Sequence, residues 1–218
     1  MFNLSAQDLS RGVLDCGGGP ASFVAELCAS GLRGVSVDPI YACSGSEIRA
    51  RFDEIVQPMI AQVRATPGDW TWSYHRDPDD LCASRRAALE RFLADYDDGL
   101  PAHRYIAGAL PSLPFAEGAF GLAVCSHLLF LYSDLLTEDF HLRAVAELCR
   151  VAGEVRIFPL LTLSHLRSPH LAAVQSAVHS QGWLSEIVRA NYELQRGGNE
   201  MLRIFRPCRA GQIGTGVR

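Results

Sequence analysis

The stretch VLDCGGGPASF, from Val13 to Phe23, places an acidic residue at the end of an apolar segment, then three glycines and a helix start. Val13 and Leu14 suit a buried parallel strand. The glycines from Gly17 to Gly19 let the backbone turn tightly, and Pro20 suits the first position of a helix. This pattern predicts a strand, a turn and a helix whose open backbone N–H groups face a nucleotide-like small molecule.

The composition is that of one ordinary globular domain. The chain has 218 residues, of which 48% are hydrophobic and 20% charged, enough to build a sizeable core. Its net charge is −4, and its 20 basic residues are all arginines that form no run. This distribution argues against a nucleic-acid partner. Because the chain contains no lysine, Schiff-base and lysine-base mechanisms are excluded.

The chain shows no sign of export, membrane insertion or metal binding. No basic segment followed by an apolar core occurs between Met1 and Arg11, and no apolar run approaches the ~20 residues of a membrane span. The seven cysteines form no CxxC pair, which favours a reducing compartment. The histidines form no HExxH motif. We therefore expect a cytoplasmic protein without a metal site.

The order of elements predicts an α/β fold. A strand over 12–15, a helix over 20–30 closed by Gly31, and a strand over 34–37 that ends at Asp38 form a right-handed parallel βαβ unit. Further on, we predict a two-residue strand at Tyr105-Ile106, strands and helices in alternation, and a final antiparallel pair. These later elements are strands over 120–126, 154–158, 185–189 (reaching 194 if extended) and 200–206, and helices over 139–151 and from Ser168-Pro169 to Gly182. The domain is expected to cover 1–208, with a disordered tail over 209–218.

Residues 41–103 interrupt this alternation with helical periodicity. Pro58 is expected to kink the first helix of this insertion, and Asp77-Pro78 opens the second. Trp70, Trp72 and Tyr74 lie between the two helices and suit either an aromatic binding surface or the core of the insertion. The insertion itself suits either a lid over a ligand or a structural cover of one sheet edge.

With these residues in place, the chain resembles the class I S-adenosylmethionine-dependent methyltransferases, in particular small, poorly characterised bacterial members. Asp15, Gly17 and Gly19 match the first motif of that family, Asp-x-Gly-x-Gly after a strand, and Asp38 matches the acid that ends the second strand. The resemblance implies a Rossmann-like fold with a mostly parallel seven-stranded sheet, an antiparallel last strand and the helical insertion after the second strand. It also implies that Asp15 holds the amino end of the cofactor and that Asp38 binds the ribose hydroxyls. A helix or turn cap before Pro39 is the alternative for Asp38.

The segment from Gly108 to Asp134 matches the family less closely. The family pattern reads Gly-Asp-Ala, Leu-Pro-Phe and Phe-Asp before a strand, whereas Ala109 and Gly121 stand here in place of the two acids. The change at Ala109 removes one hydrogen bond to adenine, worth about 0.5–1.5 kcal/mol net, for which backbone amides near Ala109 and Leu110 offer a substitute. The resemblance thus implies one set of cofactor-binding residues: Asp15, Cys16, Gly17, Gly19, Asp38, Pro39, Ala109, Leu110 and Ser126.

The acceptor site is less clear from the sequence. Ser126, His127 and Tyr132 follow the fourth strand, at the edge where open α/β sheets bind ligands. His127 is the one candidate general base, although a lone histidine beside apolar residues is more often a packed or capping residue. We predict methyl transfer to a small molecule, with the oligomeric state undetermined. The alternatives are a non-catalytic protein that binds or senses with the same fold, and an NAD(P)-dependent oxidoreductase.

Overall fold

The computed structural model of the chain describes residues 1–207. The predicted tail over 209–218 lies outside this range. The strands are β1 (Val13–Cys16), β2 (Gly34–Val37), β3 (Tyr105–Ile106), β4 (Leu122–Ser126), β5 (Glu154–Phe158), β6 (Leu184–Arg189) and β7 (Glu200–Phe205). The helices are α1 (Ala6–Ser10), α2 (Phe23–Ala29), α3 (Gly45–Ala65), α4 (Pro78–Gly99), α5 (Glu138–Val151) and α6 (Leu171–Ser180).

The seven strands form one sheet in the order β3-β2-β1-β4-β5-β7-β6. The pairs from β3 to β5 are parallel, whereas β7 runs antiparallel to both β5 and β6. The predicted fold class is therefore confirmed: a mostly parallel seven-stranded, Rossmann-like sheet with an antiparallel last strand. The insertion after the second strand is also confirmed, because α3 and α4 lie between β2 and β3.

The turn after β1 differs from the sequence prediction in where its helix begins. The helix α2 starts at Phe23 with Ser22 as its N-cap, so Pro20 lies in the loop and not at the first helical position. Gly17 and Gly19 both have positive φ, at 71° and 56°, a conformation that glycine adopts without strain. The loop therefore extends three residues beyond the predicted turn. The prediction that Gly31 closes the helix is correct, since its φ is 77° and its N–H bonds to the carbonyl of Cys28.

The sheet is covered on both faces. On one face, apolar side chains of β1, β4 and β5 pack against α5 and α6 in the largest core cluster, which includes Leu14, Ala123, Val145, Leu148 and Val174. On the other face, β1, β4 and β5 pack against α2 and the segment before α1, with Val13, Leu27, Val124 and Phe158 among the buried residues. Because both faces are buried, a ligand can reach the sheet only at the ends of its strands.

The insertion packs against the sheet at β3 and against α2. Its core is a cluster of aromatic and aliphatic side chains from α2, α3, α4 and β3, including Val24, Phe52, Phe92, Tyr96 and Tyr105. A second contact joins the insertion to the connection between β6 and β7. There Thr71 N–H donates to the carbonyl of Leu194 (2.7 Å), and Arg196 donates to the carbonyl of Gly68 (2.7 Å). The insertion therefore spans the sheet from one side to the other.

One local prediction is corrected, and two open alternatives are decided. The helix α6 has His170 as its N-cap residue, although Ser168 still accepts the His170 N–H through its hydroxyl (3.2 Å). The strand β6 ends at Arg189 and does not extend to Leu194. Trp70 and Trp72 pack against a small cluster with Leu194, which favours the core interpretation for them. None of the helices within residues 1–207 is long and apolar enough to cross a membrane.

Candidate cofactor and acceptor site

Two adjoining cavities lie at the carboxyl ends of β1, β2 and β4. The larger has a volume of about 740 Å³ and the smaller about 320 Å³. Both values fall in the range of small-molecule sites, roughly 300–1,000 Å³. Gly17 and His127 line both cavities and therefore mark the place where they meet. This edge, at the point where the strand order reverses between β1 and β4, is where open α/β sheets bind ligands.

The smaller cavity brings together six of the predicted cofactor-binding residues. Its lining includes Cys16, Gly17, Asp38, Pro39, Ala109 and Leu110. Val37, Leu128 and Phe140 add apolar surface to the same cavity. A pocket with apolar walls and one carboxylate suits a planar ring joined to a hydroxylated sugar.

Asp38 makes two hydrogen bonds to backbone N–H groups. Its Oδ1 accepts the Ile40 N–H (2.9 Å) and caps the 3₁₀ turn that follows, as the alternative prediction had it. Its Oδ2 accepts the Gly19 N–H (3.0 Å) and so ties the glycine loop to the end of β2. Each carboxylate oxygen has a second lone pair. The side chain therefore keeps acceptor capacity toward the cavity that it lines.

The glycine loop is held close to the sheet. A Cβ at Gly18 would lie 2.2 Å from Ser36 Oγ and 2.4 Å from Asp15 Oδ2, so only glycine fits there. Gly19 lines neither cavity, but its carbonyl accepts the hydroxyl of Tyr41 (2.7 Å). The Tyr41 hydroxyl also contacts Ser36 Oγ (2.8 Å). Ser36 and Tyr41 thus position the loop, and no sequence motif singled them out.

Asp15 lines the larger cavity and is 6% exposed. Its Oδ2 accepts a hydrogen bond from Ser36 Oγ (3.3 Å). Burial, together with the negative charge of Asp38, raises the pKa of Asp15 to about 7, against the lowering effect of the Ser36 bond. Within residues 1–207 it forms no ion pair. A cationic group in the cavity would therefore stabilise its ionised form.

Three segments bound the larger cavity: two that the sequence did not assign to the site, and the insertion, for which a lid was one of the two predicted roles. One wall is the segment Met1 to Leu4, and another is formed by Asn191 and Tyr192 of the β6–β7 connection. The insertion supplies the third wall through His75 and one face of α4: Leu81, Ser84, Arg85 and Ala88. Their i, i+3, i+4, i+7 spacing was visible in the sequence. Only the tertiary packing shows that this helix face meets a cavity.

Ser126 and His127 lie at the end of β4, where the cavities join. Ser126 Oγ lies 2.7 Å from His127 Nδ1. His127 has a positive φ of 53°, uncommon outside glycine, and its N–H donates to the carbonyl of Phe158 (2.7 Å). Although the side chain keeps surface open to the cavities, desolvation and then the charge of Arg85 lower its pKa to about 4. At neutral pH the imidazole is uncharged and can accept a proton.

The two departures from the family motif differ in their consequences. Ala109 lines the smaller cavity and is exposed there, so the missing carboxylate bears directly on ligand binding. Gly121 lies just before the amino-terminal end of β4, away from the cavities. A Cβ there would come within 2.6 Å of the Arg11 carbonyl oxygen. Close packing against Arg11 accounts for the glycine. Its missing acid does not concern the site.

Comparison with known proteins places the chain in a family. No protein-family model matches it. It is 30% identical over 207 residues to the uncharacterized protein MJ0045 of Methanocaldococcus jannaschii, an alignment that covers 94% of this chain and 90% of that protein. The chain belongs to the MJ0045 family. Membership in the MJ0045 family by itself assigns no reaction.

Solved structures with similar folds include several methyltransferases. The chain is similar to magnesium protoporphyrin IX methyltransferase of Synechocystis PCC 6803 with bound SAM (16% identity, 93% of this chain, 74% of that chain, TM-score 0.47). It is also similar to the O-methyltransferase NcsB1 of neocarzinostatin biosynthesis (13% identity, 91% of this chain, TM-score 0.48), of which it spans only 50%. A third is a possible histamine N-methyltransferase of Thermotoga maritima (11% identity, 90% and 82% of the two chains, TM-score 0.45). Similarities this low add nothing to what the strand order already shows about the fold.

Proposed function

We propose that this protein is an S-adenosylmethionine-dependent methyltransferase that acts on a small-molecule acceptor. One observation carries the proposal. Two carboxylates predicted to hold the two ends of the cofactor, Asp15 and Asp38, line two cavities that adjoin at Gly17 and His127. Asp15 lines the larger cavity and Asp38 the smaller one, and Gly17 of the glycine loop lines both, which supports one ligand that extends through the two cavities.

The residues present fit the cofactor. In the smaller cavity, Asp38 would accept the ribose hydroxyls, while Val37, Leu110 and Leu128 would pack against the adenine ring. In the larger cavity, Asp15 would accept the amino group of the methionine end. Gly18 packs directly against the Asp15 and Ser36 side chains and lines the larger cavity with its backbone. A side chain at Gly18 would push the loop off the end of β1, where the methionine end has to lie.

S-adenosylmethionine supplies a methyl group already activated on a sulfonium, so the protein needs chiefly to position the acceptor in line with it. His127 lies where the two cavities meet and is uncharged at neutral pH. It would therefore take a proton from an acceptor hydroxyl or amine as that atom gains the methyl group. The insertion would close the acceptor side through α4 and His75.

The strand order argues against the oxidoreductase alternative. Dinucleotide-binding domains have a sheet of order 3-2-1-4-5-6 and present a helix N-terminus to pyrophosphate. Here an antiparallel β7 lies between β5 and β6. In addition, α2 begins only at Phe23, four residues after Gly19. A dinucleotide would also leave Asp15 buried without a cationic partner.

Calorimetric titration with two ligands tests the proposal. S-adenosylhomocysteine would occupy both cavities, whereas methylthioadenosine lacks the amino acid end and would occupy the smaller one alone. We expect Asp15→Asn to weaken S-adenosylhomocysteine binding at least tenfold and to leave methylthioadenosine binding unchanged. Asp98→Asn, an exposed carboxylate on α4, serves as the control. Equal affinities of the Asp15→Asn and unaltered proteins for S-adenosylhomocysteine would overturn the assignment of Asp15.

Methyl transfer itself needs a separate assay, because a binding protein with the same fold would pass the titration. Production of S-adenosylhomocysteine from S-adenosylmethionine is followed with a panel of small hydroxylated and amino compounds. We expect turnover with at least one acceptor. Tight binding of S-adenosylhomocysteine without turnover on any acceptor would favour the non-catalytic alternative.

A further inference from the structure

The insertion contributes an arginine, Arg85, to the wall of the larger cavity. Arg85 projects from α4 into the wall that also contains His75 and Ser84. Within residues 1–207 its guanidinium takes part in no ion pair. Most other arginines of the chain are neutralised by a neighbouring carboxylate, as the next residue shows: Arg86 pairs with Asp53 of α3 at 2.9 Å.

The position of Arg85 favours the acceptor over the cofactor as its ligand. Arg85 lowers the pKa of His127 and of Tyr192, which places its charge near the end of β4 and the β6–β7 connection. In the wall of the larger cavity, Arg85 belongs to the side supplied by α4 of the insertion, together with Ser84. Asp15, which would hold the methionine end, lies in β1.

The rest of the cavity wall is largely apolar. Its lining includes the side chains of Phe2, Leu4, Phe23, Leu81, Ala88 and Val124. Asp15 is the only carboxylate among the described residues that line it, and that side chain is assigned above to the cofactor amine. A ligand that complements this wall has an apolar body and one anionic group. A guanidinium binds a carboxylate through two parallel hydrogen bonds, which fixes the orientation of the ligand as well as its charge.

We propose that the acceptor is a small carboxylic acid with an apolar or aromatic body, whose carboxylate pairs with Arg85. This inference rests on the proposed function. It also bears on the pKa of His127. Desolvation and the Arg85 charge both lower that pKa, and an anion bound to Arg85 would offset the effect of the charge. Two other arginines are already engaged within the protein: Arg167 pairs with Glu200, and Arg196 donates to the backbone carbonyls of Gly68 and Trp70.

Matched pairs of an acid and its amide test the proposal. Benzoate and benzamide, phenylacetate and phenylacetamide, and 4-hydroxybenzoate and 4-hydroxybenzamide are titrated into the protein with and without saturating S-adenosylhomocysteine. In the unaltered protein we expect at least one acid to bind about tenfold more tightly than its amide. Arg85→Gln should remove this preference, Arg85→Lys should restore part of it, and Arg86→Gln should leave it intact.

The results distinguish an error in the role of Arg85 from an error in the proposed function. Equal binding of acids and amides throughout the set, or no binding of any acid, would overturn the proposal. A tenfold loss of S-adenosylhomocysteine affinity in Arg85→Gln, with the acid preference unchanged, would also overturn it, because the guanidinium would then hold the carboxylate of the cofactor. A failure of the unaltered protein to bind S-adenosylhomocysteine would contradict the proposed function, while the acid preference of the cofactor-free protein still decides the role of Arg85.

Discussion

The buried carboxyl of Asp15 should lower the stability of the fold at neutral and alkaline pH. Its pKa is raised from an ordinary value of 3.8 to about 7 by burial and by the charge of Asp38. Between these two pH values the folded protein binds more protons than the unfolded chain, so the free energy of unfolding falls as pH rises. An Asp15→Asn variant keeps the shape and a hydrogen-bonding group for Ser36 but has no charge to bury. It should therefore be more stable than the unaltered protein wherever the carboxyl is ionised.

The size of this destabilisation follows from the rise in the pKa of Asp15. A rise of about three pH units lowers the free energy of unfolding by about 4 kcal/mol at pH 8, and about 1.5–2 kcal/mol of that loss is already present at pH 5. The advantage of Asp15→Asn over the unaltered protein should thus grow by about 2.5 kcal/mol between pH 5 and pH 8. At about 2–4 °C per kcal/mol for a domain of this size, the difference in melting temperature should widen by about 5–10 °C.

Thermal and urea unfolding of both proteins at pH 5, 6, 7 and 8 measures this difference. The exposed Asp98→Asn variant controls for the removal of a carboxylate elsewhere and should show no such widening. The reasoning is refuted if Asp15→Asn and the unaltered protein lose stability in parallel over this range, or if the variant is the less stable of the two at pH 8. A gain in stability together with weaker S-adenosylhomocysteine binding would identify Asp15 as a residue kept for the ligand.

Three further predictions concern the same site and the sheet below it. Affinity for S-adenosylhomocysteine should fall about tenfold from pH 8 to pH 6, as the ionised fraction of Asp15 falls from about nine-tenths to about one-tenth; titration at both pH values checks this. Gly18→Ala should abolish binding and lower the melting temperature because its Cβ would overlap Ser36 and Asp15, whereas Gly68→Ala, with open space around it, should be neutral in both assays. Burial alone would raise the pKa of Glu154, but the arginines that donate to it lower that pKa to about 2. Glu154→Gln should therefore cost about 3–5 kcal/mol at pH 7 in urea unfolding, and near-normal stability would refute this.

The sequence predicted the strand β5 residue for residue and the fold class as a whole, since apolar runs and glycine turns are local signals. It misplaced the start of α2 because Pro20 suits a helix N-terminus on local grounds, whereas the loop length is set by the contacts of Gly18 and Gly19 with Ser36 and Asp38. Those contacts join segments about 20 residues apart. Local patterns do not contain them.

The acceptor side was largely missed for the same reason. Arg85 occupies an unremarkable position in an arginine-rich helix, and its place in the cavity depends on how α4 packs across the sheet edge. The sequence also could not show that the missing acid at Gly121 has no bearing on the site. The structure shows this, because Gly121 packs against Arg11 at the amino-terminal end of β4. Motif residues at strand ends were predictable because the carboxyl ends of parallel strands lie side by side. The other walls of the larger cavity come from the insertion and the β6–β7 connection, which no local pattern brings together.

Thermal unfolding with and without S-adenosylhomocysteine, with NADH as the control ligand, tests the central claim most directly. At a hundredfold excess over its Kd, a specific ligand adds about 2.7 kcal/mol of stability, on the order of 5–10 °C for this domain. We predict that shift with S-adenosylhomocysteine and none with NADH. A shift with NADH alone, or no shift with either ligand, would contradict the account of the site.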